Sequence, residues 1–219
     1  MAADLTYPQG VFQVRQDGNA VVPSGKSLDI ESGGSLKLAG TAVTATAAIL
    51  NALPSPTLAS GAGAGITDGT GTIYKTAVQI IGGIYKTTIM IDLTGVASST
   101  TDLDIIGTGT SAAYIAKLTA AENGGTILAI SMQCLEAPAG GVTDIDLYSA
   151  VEGTGKFDDA VTGLTETALL TSGGAWSNGT TKGATVAPAS TEYLYLTGGA
   201  GGTAATYTAG KFIITIYGY

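Results

Sequence analysis

Over most of this chain apolar and polar side chains alternate in short blocks, and the period of the alternation is that of β-strands. Tyr193 and Tyr195 fall on one face of an extended segment and Leu194 and Leu196 on the other; Phe212, Ile214 and Ile216 likewise oppose Ile213, Thr215 and Tyr217. Glycine, serine and threonine separate the blocks. The pattern predicts strands near residues 73–80, 84–93, 102–106, 113–118, 126–135, 144–149, 165–171, 192–196 and 211–217. With almost no segment of helical period among them, these strands predict an all-β fold, an antiparallel two-sheet β-sandwich of jelly-roll-like type over residues 73–219. The gaps around 150–164 and 172–191 are long enough to carry a recognition surface.

The front of the chain has a different pattern. Two near-copies of an eight-residue unit, Ser24 to Glu31 and Ser32 to Ala39, each lead from a Ser-Gly turn into Leu-x-Ile or Leu-x-Leu. If extended, they place Leu28, Ile30, Leu36 and Leu38 on one face. Burying four such side chains supplies about 1.5–3 kcal/mol each, whereas ordering the sixteen residues costs about 1–2 kcal/mol apiece. The segment cannot hold its shape alone, and repeat architectures need about three stacked units to close a core. The missing apolar surface is therefore expected from other copies of the same chain, as a homotrimer or similar bundle. Thr44 to Leu53 predicts a short helix, N-capped by Thr44, with Ile49 and Leu53 four residues apart and Pro54 and Pro56 stopping it. At about ten residues such a helix is too short to persist in isolation, so Ile49 and Leu53 join the expected trimer interface.

The run from Leu28 to Asn51, LDIESGGSLKLAGTAVTATAAILN, resembles a module common in structural proteins of tailed bacteriophages: head fibres, head decoration proteins and tail appendages. The segments Leu5 to Gly10 and Tyr207 to Tyr219 are similar, less specifically, to the ends of small marine-phage virion proteins. The resemblance implies a homotrimeric virion surface protein whose N-terminal part docks on the particle. At Ile49 the module usually carries glutamate, so this copy of the helix is more apolar. The resemblance also implies a location on the outer capsid surface, with the major capsid protein as partner.

Tyr7, Phe12 and Arg15 surround a short extended piece, Val11 to Val14, between turn signals at Pro8, Gly10 and Gly18. They are the expected capsid-anchoring residues, against the alternative of a merely packed terminus. Glycines 61, 63 and 65 form a flexible linker by composition. No Lys-Ser/Thr follows them, so they do not form a phosphate-binding loop. The expected organisation is thus a stem at 1–58, a linker at 59–72 and the sandwich at 73–219.

Charge and composition narrow the function further. Only 12% of the residues are charged, and 17 acidic against 9 basic residues give a net charge of −8. The basic residues are scattered singly, which disfavours nucleic acid as a partner. No apolar run reaches the length of a membrane span. The first residues lack the basic and apolar regions of a secretory signal, so assembly in the host cytoplasm is expected.

Histidine is absent, which removes Ser-His-Asp and Cys-His nucleophile systems and every histidine-containing metal site. The chain is read as a non-enzyme with no cofactor and no catalytic or metal-binding residue. Asp102/Asp104, Asp144/Asp146 and Asp158/Asp159 are the carboxylate pairs that could be weighed for calcium. None belongs to a full loop motif, and solvated surface acids are the plainer expectation. Cys134 is expected as a small buried apolar residue on a strand. Trp176 and Asn178 sit in a stretch that looks like a loop tip. They could form an outer recognition loop touching host surface glycan, which supports an alternative function as a tail fibre or appendage. For the lone tryptophan, burial in the sandwich core is the commoner fate of a large aromatic.

Overall fold

The computed structural model of the chain describes residues 61–219, together with the backbone of four two-residue strands nearer the N-terminus. The chain divides into two compact units, Met1–Leu50 and Asn51–Tyr219. In the first, β1 (Gln13–Val14) pairs antiparallel with β2 (Ala20–Val21), and β3 (Lys37–Leu38) with β4 (Thr41–Ala42). Leu38 of the expected interface thus sits on β3, its backbone opposite Thr41. The other expected interface residues, Leu28, Ile30, Leu36, Ile49 and Leu53, lie outside the described residues, as do the anchoring residues Tyr7, Phe12 and Arg15 and the helix expected at 44–53.

The second unit is all-β and sandwich-like. Its larger sheet contains β5 (Ile73–Ile81), β6 (Ile84–Asp92), β9 (Ile127–Ala139), β12 (Thr181–Gly183) and β15 (Ala209–Gly218) in the order β12-β9-β15-β6-β5. The smaller contains β8 (Ala116–Lys117), β10 (Ile145–Ala150), β11 (Glu166–Leu170) and β13 (Tyr193–Gly198) in the order β11-β10-β13-β8. A short pair, β7 (Ala97–Ser98) with β14 (Ala205–Thr206), stands outside both. All pairings are antiparallel.

The alternation read from the sequence sets the register. Along β15, Phe212, Ile214 and Ile216 are buried while Lys211, Ile213 and Thr215 are only partly so. Each buried residue faces a buried one on β6 or β9: Phe212 lies opposite Ile91 and Cys134, and Ile214 opposite Ile89 and Met132. These side chains share one core with Ile145 and Leu147 of β10 and Leu194 and Leu196 of β13, all fully buried. A one-residue slip would turn every one of them outward, so the register is fixed by burial. The β5–β6 hairpin closes through Gly82 and Gly83 at φ +58° and +86°. A two-residue turn with both central residues left-handed matches the strand twist, and glycine fills it without strain.

Two expectations are corrected. The strand expected at 102–106 is instead a crossing segment with single bridges from Asp104 to Ala160 and from Ile105 to Thr197. Leu103, with φ at +69°, breaks the extended path just before them. The second concerns the linker at 59–72, which from Gly63 onward belongs to the domain. A short helix, α1 (Ala64–Thr67), buries Ile66 completely in the core. Gly63 N–H donates to Tyr114 O (2.9 Å), Gly65 N–H to Ala112 O (2.8 Å), and Thr108 N–H to Gly65 O (2.7 Å). A Cβ on Gly63 would stand 2.2 Å from Ala112 O. Glycine is there for close backbone approach, a use that composition cannot distinguish from flexibility.

Candidate functional site

The outer face of the smaller sheet is covered by the loop at 151–164, while residues 103–106 and 115 hydrogen-bond alongside its strand β13. On that face Asp146 pairs with Thr197, Tyr148 with Tyr195 and Ala150 with Tyr193. The tyrosines are the struts of this cover. Tyr195 Oη donates to Glu152 O (2.8 Å) and accepts from Gly155 N–H (3.3 Å); burial pushes its hydroxyl up to about 12. Tyr114 stands edge-on to Tyr193 and Tyr195 with centroids 4.9 and 6.5 Å away. The loop passes so close that a Cβ on Gly153 would lie 2.4 Å from the Tyr193 ring.

Asp144, Asp146 and Asp104 are buried, while Asp102 is exposed. Asp146 Oδ1 accepts from Ser172 N–H (2.5 Å), and Lys182 Nζ donates to Ser172 O. Burial raises the Asp146 carboxyl, with the charges of Asp144 and Asp102 adding to it, against lowering by the Ser172 hydrogen bond and by Lys182. Asp104 accepts from the Ser99 hydroxyl (2.8 Å). Asp144 Oδ1 and Thr197 Oγ1 are buried with no hydrogen-bond partner among the described residues. Asp158 and Asp159 are exposed, and Asp159 Oδ2 accepts from Lys156 N–H (3.0 Å) in a turn that brings Asp158 to φ +68°. Among the described residues no group of three or more Asp, Glu, Cys or His side chains is placed to hold a metal ion.

The raised Asp146 group makes a pH prediction. A carboxyl whose folded pKa exceeds its unfolded value stabilises the fold relative to the ionised state at low pH, and that contribution is lost as pH rises through the folded value. Asp146→Asn is uncharged at every pH and still offers an oxygen to Ser172. It should melt above the parent protein at pH 7, with the gap closing on acidification through the raised carboxyl value. A melting series from pH 4 to 8 checks this; a gap independent of pH would show that Asp146 does not carry it.

Trp176 is buried, 3% exposed, and does not form an outer recognition surface. Its indole Nε1–H donates to Ile145 O (2.8 Å) and its ring meets Phe212 edge-on at 5.3 Å. Lys182 Nζ lies over the ring, 4.9 Å from its centroid. Neighbouring Asn178 is exposed in a turn, so the pair proposed from the sequence is split between core and solvent. Cys134 lies buried on β9, as expected, with Sγ donating to Glu136 O (3.3 Å); burial pushes its thiol up.

The outer face of the larger sheet was not singled out from the sequence. Register and burial place Ile73, Lys75, Ala77, Gln79 and Ile81 of β5 on it, opposite Asp92, Met90, Thr88, Lys86 and Ile84 of β6. At one end Lys211 bridges Asp92 (3.3 Å) and Glu136. Burial would raise Asp92, but hydrogen bonds from Thr94 and Lys211 overcome this and hold it below the usual range. At the other end Ile81, Ile84, Tyr217 and Tyr219 are exposed by 71, 40, 38 and 59%. The signal was present as isoleucines on both sides of Gly82 and Gly83, but alternation alone does not say which face of a strand is covered. Beside β5, Thr67, Thr72, Ile73, Tyr74 and Lys75 line an open depression of about 330 Å³. Two of its hydroxyls are engaged in the fold: Thr72 Oγ1 donates to Thr94 O (2.7 Å) and Tyr74 Oη to Ile115 O (2.6 Å).

No protein-family model, curated protein or solved structure matches the chain.

Proposed function

We propose that this chain is a bacteriophage virion structural protein, a trimeric decoration or head-fibre protein that docks on the major capsid lattice and stabilises it without catalysing a reaction. The observation that carries this is the division of the chain: the segment with the virion-module resemblance lies chiefly in the unit Met1–Leu50, apart from the sandwich unit. The stem at 24–53 holds the copies together, the N-terminal arm seats them among capsid subunits, and the sandwich projects outward.

The chemistry of the described residues favours a structural role. The buried Asp104 and Asp146 accept hydrogen bonds from Ser99 and Ser172, and the buried tyrosine hydroxyls brace loops. The mechanism is mass action: a protein that binds only the assembled shell stabilises that state by its binding free energy.

Copy number tests the proposal. Quantifying the labelled protein in purified virions should give tens to hundreds of copies per particle, with shells lacking it disassembling at lower temperature. A few copies per particle would assign it to the tail, and none would reject a virion role.

A further inference from the structure

The apolar end of the larger sheet's outer face is built as a contact rather than scattered. Tyr219 continues β15 by exchanging two hydrogen bonds with Thr126 (2.9 and 3.0 Å). Gly218 lies opposite Tyr85, and Tyr217 opposite Lys86. By the two-residue alternation, Tyr217, Tyr219, Ile84 and Ile81 therefore stand side by side on one face. Leu128, 49% exposed, lies in the bulge of β9 between the partners of Tyr217 and Gly218. Among the charged residues of the sheet only Lys86 shares this end of the face. Asp92 and Glu136, the only acids on the five strands, lie at the opposite end, about 20 Å along the strands, where Lys211 neutralises part of their charge.

This distribution bears on what can cover the patch. In a chain of net charge −8, two copies repel over most approaches. Of the exposed acids, Asp102, Asp158 and Asp159 lie in segments next to the smaller sheet, and Asp68 follows the helix at Ala64–Thr67. This end of the face carries no acid of the five strands, so like copies can meet there with few opposing carboxylates.

Size decides how it is used. With roughly 200 Å² for a fully exposed large side chain, the four residues offer roughly 400 Å² in all, short of the roughly 800 Å² per partner of a stable two-body interface. Such a patch cannot hold a free partner on its own. It suits a partner already tethered, for which the second contact is intramolecular and acts at roughly millimolar effective concentration.

We infer that Ile81, Ile84, Tyr217 and Tyr219 form a contact between the sandwich domains of copies of this chain, closed once the stem has brought the copies together. The inference rests on the stem-mediated trimer of the proposed function. The contact locks the sandwiches against one another, so the projecting part of the assembly is rigid.

Two measurements on the full chain test it. In hydroxyl-radical footprinting of the purified oligomer, residues 81, 84, 217 and 219, each normalised to the intrinsic reactivity of its residue type, should be oxidised several-fold more slowly than Val151 and Val186, apolar side chains that are 56 and 46% exposed. In sedimentation on dilution, Ile81→Asp combined with Ile84→Asp should dissociate at a concentration at least tenfold higher than the parent chain. Nothing lies within 4 Å of a Cβ built on Gly82 or Gly83 between them, so the exchange at this open tip leaves the fold intact. An oligomer with the four side chains oxidised as fast as the two valines, or with an unchanged dissociation midpoint, overturns the inference and leaves the stem standing. Protection that arises only on binding to capsid shells assigns the patch to the shell and also overturns it. A parent chain that is monomeric at every concentration overturns both the stem reading and this contact.

Discussion

Trp176→Ala should lower stability by about 3–5 kcal/mol, the usual range for removing a buried large aromatic, and should lower the melting temperature by roughly 10 °C in a chain of this size. The loss has two parts. The ring fills the space between β10 and Phe212, so its removal opens a cavity that a rigid sheet core closes only partly. The deletion also leaves Ile145 O without the indole donor now 2.8 Å away, and a buried carbonyl without its partner costs about 1–3 kcal/mol. Trp176→Phe separates the parts, because it keeps most of the volume and the edge-on contact while losing the hydrogen bond, and should fall between parent and alanine variant. Urea denaturation gives the energies, and intrinsic fluorescence of the parent should show the blue-shifted emission of a buried indole. Water-like emission with an unchanged unfolding midpoint would put the ring in solvent and restore the glycan-binding loop.

The same residue shows how far the sequence could be read. Trp176 lies between glycines and polar residues, so its neighbours spell a loop, and the stretch is indeed irregular. What local sequence does not hold is that the loop folds back over the open end of the sandwich and carries its aromatic inward. The longer strands were legible from alternation or from an apolar run: Phe212, Ile214 and Ile216 alternate with less buried residues, while in β13 leucines and tyrosines alternate although both faces are covered. Strands of two or three residues, β7, β12 and β14, were missed because too few residues alternate and their pairing is decided by partners far along the chain, as when Ala97 meets Thr206. The apolar patch at Ile81 and Tyr217 was missed for the opposite reason. Its residues alternate as a covered face would, and only the absence of an opposing layer among the described residues distinguishes them. The buried acids were misjudged as surface groups because the groups that meet Asp146, Ser172 and Lys182, are distant from it in sequence.

Gly95→Ala on the full chain should cost about 2–5 kcal/mol, and the size of that loss measures how firmly residues 69–72 are built into the domain. Gly95 has φ at +89°, and a Cβ there would lie 1.9 Å from Thr70 O and within 2.6 Å of Thr70 C and N. The left-handed backbone alone costs an L-residue about 1–2 kcal/mol, and overpacking against a fixed neighbour adds about 1–3 kcal/mol. Gly109 supplies the control, since at φ +63° it carries the same backbone demand with nothing within 4 Å of its Cβ. Gly109→Ala should therefore show the conformational cost alone, and the difference between the two variants isolates the contact with Thr70. A free linker would simply swing away, making the two variants equal in a thermal melt. Thr70 cannot swing away in this fold, because its chain is held on both sides: Ile66 is anchored in the core four residues before it, and the Thr72 hydroxyl is fixed on Thr94 O (2.7 Å) two residues after it. Close packing of backbone on glycine thus converts a stretch that composition marks as flexible into the segment that closes this side of the sandwich.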